Sequence, residues 1–405
     1  MISLKTIYII LTIPFKLAWV AIKYPFVGGI NDKFRNNLTN SLKLTIFRQA
    51  LRYPIEDKGK LSLFNNEYLV NNLIKKWYPN LTDLNNYGKR YDEHSFWIVE
   101  AENRTNDDPI IIYAHGGCFV FESAPSQIET LLSTYYLVDP SIRARLSILF
   151  LDYKLASQGY PVPYQLHELT ESYKKLVDEG SQNIILMGDS AGGNLALTFL
   201  QQIKSNTTDY DLPYPKSAVL ISPWVKLKPD DKDYEKGHSM HDNSSKDMLQ
   251  DVHFQQIFTE GGLILGNVNS LTVSPGNCAY SCEDWTDIPT LDYTFVIYGE
   301  HETFRDDIAE WCEYALKTPK IDWTEDSKGV LNSSVHEYVK KEAGKSNVSV
   351  FVEPWGIHDA VMMFESDVVA KIKNNPDFTL DDVDQEKYFG MYRLVTYLNE
   401  ILSEN

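Results

Sequence analysis

Gly188-Asp189-Ser190-Ala191-Gly192-Gly193-Asn194 decides how this chain is read. An apolar run, Asn183-Ile184-Ile185-Leu186-Met187, leads into it, and an amphipathic segment, Leu195-Ala196-Leu197-Thr198-Phe199-Leu200, leaves it. The pattern predicts a strand, a sharp turn and a helix, with a serine at the apex. Gly188-x-Ser190-x-Gly192 is the arrangement that holds a nucleophilic serine on a strained turn, where small neighbours are required. The helix that follows aims its N-terminus at the serine, and its partial positive charge favours an oxyanion there. A glycine-rich turn without chemistry would fit a shorter match. The longer match and its partners elsewhere in the chain argue against that reading.

An acyl-transfer serine needs oxyanion donors, a base, and a group that orients the base. Tyr113-Ala114-His115-Gly116-Gly117-Cys118-Phe119 follows the apolar run Pro109–Ala114. Its glycines let the backbone approach a carbonyl, so the N–H groups of Gly116 and Gly117, with that of Ala191, are expected to form the oxyanion hole. His115 is expected to be structural. After a further strand come four carboxylates, in Gly299-Glu300-His301-Glu302-Thr303-Phe304-Arg305-Asp306-Asp307. Asp306 and Asp307 lead into a helix, where stabilisation by the helix dipole explains them. Glu302 sits on the intervening turn and is chosen over Asp306 as the orienting acid. Two histidines follow, His336 and His358. His336 lies in a charged stretch and is expected on the surface. His358, in Pro354-Trp355-Gly356-Ile357-His358-Asp359, follows the last strand and is expected to be the base. No cofactor or metal enters this scheme.

Working outward, runs at 96–99, 109–114, 147–151, 218–221, 294–298 and 348–352 read as strands, and 165–178 and 385–402 as helices. Strands alternating with helices predict an α/β fold, a mainly parallel sheet with helices on both faces. Residues 30–93 and 225–273 break the alternation, read as helical, and are expected to cap the site. Residues 318–347 are expected to be a solvated excursion. The domain is thus placed at 30–405.

Residues 1–29 are expected to be a membrane anchor segment. Ile7–Phe15, Leu17–Ile22 and Tyr24–Val27 are apolar, but Lys16, Lys23, Pro14 and Pro25 interrupt them. A spanning helix wants about 20 mostly apolar residues, so the segment reads as an imperfect signal anchor or a helix lying in the interface. Burial as a cap helix is the bland alternative. No small-x-small cleavage site follows it. The chain has 405 residues, 43% of them hydrophobic, and a net charge of −18. A sizeable core is available, and a nucleic-acid partner is disfavoured. The four cysteines, Cys118, Cys278, Cys282 and Cys312, are too few for a disulfide scaffold, although Cys278 and Cys282 are close enough in sequence to bridge a loop. Sequons at Asn37, Asn80, Asn103, Asn206, Asn243, Asn332 and Asn347 lean towards a secretory compartment.

The combination of His115-Gly116-Gly117, Asp152-Tyr153-Lys154-Leu155-Ala156, Gly188–Asn194, Ser222-Pro223-Trp224, the Glu302–Asp306 turn and His358 resembles the hormone-sensitive-lipase-like branch of the α/β-hydrolases. Within it, the N-terminal segment and the Glu302–Asp307 turn are most similar to fungal steryl acetyl hydrolases. The resemblance implies an α/β-hydrolase fold and a serine esterase with a Ser190-His358-Glu302 triad. It also implies a hydrophobic ester substrate such as a steryl acetate, and an endoplasmic-reticulum membrane protein whose catalytic domain is lumenal. A broad carboxylesterase or lipase, and an idle ligand-binding protein on the same scaffold, are the alternatives. The family usually has a third glycine where this chain has Cys118. The Cys118 N–H can still serve the oxyanion hole, while its side chain is expected to favour short acyl groups. Lys154 and Ser157 also depart from the family's usual Arg and Glu.

Overall fold

The computed structural model describes residues 2–61, 64–205, 211–265, 267–323, 327–342 and 345–403. In chain order its strands are β1 (Ser95–Val99), β2 (Ile110–Ala114), β3 (Ser147–Leu151), β4 (Ile184–Asp189), β5 (Ser217–Ile221), β6 (Thr294–Gly299), β7 (Glu337–Glu342) and β8 (Lys345–Glu353). They form one sheet in the order β1-β3-β2-β4-β5-β6-β8-β7. The pairings from β3 through β8 are parallel, and the edge strands β1 and β7 are antiparallel to their neighbours. The expected mainly parallel α/β architecture is present.

The longer helices are α1 (Leu4–Val27), α2 (Leu38–Ala50), α3 (Pro125–Leu137), α4 (Tyr164–Asp178), α5 (Ala191–Lys204), α6 (Asp251–Glu260), α7 (Arg305–Ala315) and α8 (Phe389–Leu402). Strand side chains alternate between two cores, as the two-residue strand period requires. Ile110, Ile112 and Ala114 join the core beneath α4, α5 and α7, while Ile111 and Tyr113 join the one beneath α3 and α8. Burial on both faces is why β2 to β6 read as continuous apolar runs.

The expected excursion at 318–347 is a correction. It contains β7, which pairs with β8 from Glu337↔Phe351 to Glu342↔Lys345. Its sequence, Glu-Tyr-Val-Lys-Lys-Glu, carries charges that suit an exposed edge and hide the alternation of a strand. His336, expected on the surface, is buried beside Glu300, with Nε2 3.7 Å from Oε1, because β7 folds the segment back onto the sheet.

Residues 4–27 form one helix through both prolines. Cys278 and Cys282 are unbonded, as are Cys118 and Cys312. Of the sequons, Asn80, Asn103 and Asn332 are exposed, Asn37 caps α2, and Asn243 and Asn347 are buried. Asn206 lies outside the described residues.

Candidate active site

Ser190 stands between β4 and α5 with φ 51° and ψ −113°, a strained backbone fixed from several sides. Its N–H donates to the Ile221 carbonyl at 2.9 Å, and its own carbonyl accepts from Trp224 at 2.9 Å and Asn194 at 3.1 Å. The elbow is tight. A Cβ on Gly192 would lie 1.9 Å from the Ala114 oxygen, so only glycine lets β2 come this close.

His358 Nε2 lies 2.9 Å from Ser190 Oγ, and His358 Nδ1 lies 2.8 Å from Glu302 Oε1. The structure thus brings together the three residues chosen from the sequence, all of them buried. Glu302 is held through its other oxygen, Oε2, which accepts from Ser222 Oγ at 2.8 Å and from the Gly299 N–H at 2.9 Å. Asp306, the rival acid, faces elsewhere and accepts from the Ser239 N–H at 2.8 Å. His115 is buried, stacked on Tyr153 with ring centroids 4.3 Å apart, and burial lowers its pKa to about 4. It is a neutral strut under the glycine loop.

The oxyanion loop needs one correction. The Gly116 N–H donates to Asp189 Oδ1 at 2.9 Å and is therefore not aimed at the substrate. Asp189 also accepts from Tyr113 Oη at 2.6 Å and Gln127 Nε2 at 2.8 Å, so it clamps the loop from below. Among the described residues, the N–H groups of Gly117, Cys118 and Ala191 have no protein acceptor. They are the donors left for an oxyanion. Cys118 has φ 57° and lines the cavity beside Ser190.

Three carboxylates escaped the sequence reading. Asp359 Oδ2 lies 3.2 Å from His358 Nε2, on the serine side of the imidazole. Burial works against a charge on His358, yet Asp359 and Glu302 outweigh it and hold the His358 pKa well above its ordinary value. Asp247, from the segment 225–273, accepts the His358 N–H through Oδ1 at 2.8 Å. Its Oδ2 takes the Thr303 N–H at 2.7 Å and hydroxyl at 2.9 Å. Burial raises its pKa to about 6. Asp189 lies within the elbow, where the motif itself does not mark its clamping role. Asp359 could have been suspected from its place next to His358. Nothing in the sequence singles out Asp247.

A cavity of about 200 Å³ opens onto Ser190 and His358. Its apolar walls include Phe47 and Leu51, on and just after α2, and Met248 and Leu249 from the segment before α6. A buried serine, an imidazole primed by carboxylates and free N–H donors over an apolar cavity can carry out acyl transfer from a hydrophobic ester.

Residues 7–336 match a family profile described as steryl acetyl hydrolase. Over 423 aligned positions, spanning the whole of both chains, the sequence is 29% identical to mug81 of Schizosaccharomyces pombe, which bears a provisional steryl acetyl hydrolase name. It is 27% identical to steryl acetyl hydrolase 1 of Saccharomyces cerevisiae over 122 residues, 29% of this chain and 27% of that one. Among solved structures, an esterase of the bacterial hormone-sensitive lipase family superposes with a TM-score of 0.50 at 18% identity. It covers 89% of this chain and 98% of its own, a likeness of fold.

Proposed function

The chain belongs to the steryl acetyl hydrolase family and is a serine ester hydrolase, and on that premise we propose that it deacetylates a steryl acetate or a closely similar hydrophobic acetate. The observation that carries the reading is the unbroken relay from Ser190 Oγ through His358 to Glu302, with bonds of 2.9 and 2.8 Å. In this reaction Ser190 Oγ attacks the ester carbonyl while His358 Nε2 takes its proton. Glu302 holds the imidazole tautomer and stabilises the imidazolium. The N–H groups of Gly117, Cys118 and Ala191 receive the oxyanion. His358 then protonates the departing sterol oxygen, and water, deprotonated by the same nitrogen, releases acetate from Ser190.

Residues 30–93 and 225–273 act as the cap, since Phe47, Leu51, Met248 and Leu249 close the cavity over the serine. The Cys118 side chain narrows the acyl end in favour of acetyl. Attachment to the endoplasmic-reticulum membrane through α1, with the catalytic domain in the lumen, fits the same reading. In support, α1 is by length and composition apolar enough to cross a bilayer. Three sequons are exposed and could be glycosylated. Glycosidase treatment of the cellular protein should increase its mobility on a gel; no shift contradicts the lumenal placement.

The direct assay is turnover of a steryl acetate by the full chain and by Ser190→Ala. Loss of about 10⁴-fold or more in the variant is expected. Turnover of short aryl esters alone would make the protein a broad carboxylesterase instead. No turnover of either would leave the idle binding protein.

A further inference from the structure

The catalytic imidazole has an acid on each side. Glu302 meets Nδ1, while Asp359 Oδ2 lies 3.2 Å from Nε2 and Asp359 lines the same cavity as Ser190. The Asp359 backbone has φ 53°, a left-handed conformation that costs a residue with a side chain some energy. It is held there by its own N–H, which donates to Ser222 Oγ at 3.1 Å. The same hydroxyl donates to Glu302 Oε2 at 2.8 Å, so one serine fixes both acids. The Phe304 ring stands edge-on to the imidazole, with centroids 5.0 Å apart, and steadies it between them.

Glu302 already orients the imidazole, so the triad gives no reason for a second acid. The Asp359 side chain is buried, and no hydrogen bond from the described residues reaches its Oδ1. A buried carboxylate short of donors costs stability, which calls for a role. Before acylation the Ser190 hydroxyl faces Nε2 at 2.9 Å and supplies the proton that the base takes. Once Ser190 carries the acetyl group and the alcohol has left with that proton, Nε2 and Oδ2 are two lone-pair groups 3.2 Å apart with no hydrogen between them. A molecule with two hydrogens on one oxygen satisfies both. Water has two, and an alcohol has one.

We propose that Asp359 positions the water that deacylates the enzyme, and that it makes the site choose water over alcohols as the acetyl acceptor. This rests on the reading of Ser190 and His358 as nucleophile and base. In that step the water oxygen bonds to the acetyl carbon while one of its hydrogens passes to His358 Nε2. The tetrahedral carbon then releases Ser190 Oγ, which takes that proton from Nε2 as the bond between carbon and Oγ breaks. The second hydrogen stays on the acetic acid, held by Asp359 Oδ2 until release. An alcohol in the same place would give its one hydrogen to Nε2 and turn its carbon towards the carboxylate, leaving Asp359 without a donor. The released sterol therefore competes poorly with water for the acetyl-enzyme.

The test follows 4-nitrophenyl acetate with the full chain in the presence of methanol, at a pH above the acidic limb of the activity profile. Nitrophenol reports acylation, and acetate and methyl acetate report the two fates of the acetyl-enzyme. Asp359→Ala should raise the ratio of methyl acetate to acetate by about tenfold, since it removes a hydrogen bond to a charged group that only water makes. Nitrophenol release should then become a burst followed by a slower steady state, because deacylation slows while acylation persists. Asp359→Asn, which tolerates the same left-handed backbone, should move the ratio in the same direction. Both acceptors use His358 as their base, so a shift in its pKa or a general loss of activity leaves the ratio where it was. A ratio unchanged in both variants overturns the role of Asp359. A wild-type chain that releases no nitrophenol overturns the esterase reading beneath it.

Discussion

Ser190, Glu302 and His358 stand on turns that directly follow β4, β6 and β8, whereas the residues that roof them come from α2 and the segment before α6. The strand ends are fixed by backbone ladders on both sides, and the nucleophile is locked further by the Ile221 and Trp224 backbone. The roof is joined to them by a few side chains, of which Asp247 is the central one: it receives the His358 N–H and both polar hydrogens of Thr303. Arg48 of α2 in turn grips the Asp247 carbonyl at 2.8 Å. The proposed chemistry is therefore set by the sheet, and the proposed cap, which lines the cavity, still touches His358 through Asp247. A shared site built from two such unlike parts should separate under mutation.

The largest effect belongs to the sheet side. His358→Ala should lower kcat on a steryl acetate by about 10⁴-fold or more, with the fold intact by circular dichroism. A smaller loss would mean that the relay is not the catalytic machinery. Next comes the joint. Asp247→Ala orphans four buried donors, the N–H groups of His358, Thr303 and Met248 and the Thr303 hydroxyl, each costing about 1–3 kcal/mol, and should lower the melting temperature. It should also cut kcat by about 10²-fold with little change in KM, since the imidazole loses its alignment. Unchanged kcat despite a lower melting temperature would show that sheet and cover are independent.

Asp359→Asn sharpens the comparison within the sheet side. The base must be neutral to accept the serine proton, and Asp359 helps to hold the His358 pKa above its ordinary value. Removing that negative charge lowers the pKa, so the acidic limb of the kcat/KM profile should move to lower pH. A limb that stays in place would show that Glu302 alone sets the basicity. The smallest effect is expected at Cys118. Cys118→Gly removes a side chain from the acyl end and should raise the butyrate-to-acetate rate ratio by a factor of about 10. An unchanged chain-length profile would remove Cys118 from specificity.

The legible part of this molecule is the part whose function follows from local order in the chain. Ser190 announces itself because its turn needs glycine, and Glu302 and His358 because each follows an apolar run. Gly116 misled for a physical reason: its N–H faces Asp189 Oδ1, and pattern alone does not show which way a peptide points. β7 and His336 were hidden because an edge strand of lysine and glutamate looks like a solvated loop. Asp247 was illegible because its partner His358 lies 111 residues away and no local pattern marks it. The N-terminal segment is legible as apolar, while its contacts with Asp57 and Gln49 join residues that no local pattern links.

The central claim is that Ser190 carries the acetyl group between sterol and water. Mixing enzyme with excess steryl acetate, quenching in acid within one turnover and mapping peptides by mass spectrometry tests it most directly. The account predicts acetyl on the peptide containing Ser190, decaying as acetate is released. Free sterol formed with no acetylated enzyme, or with the acetyl on another residue, would contradict it.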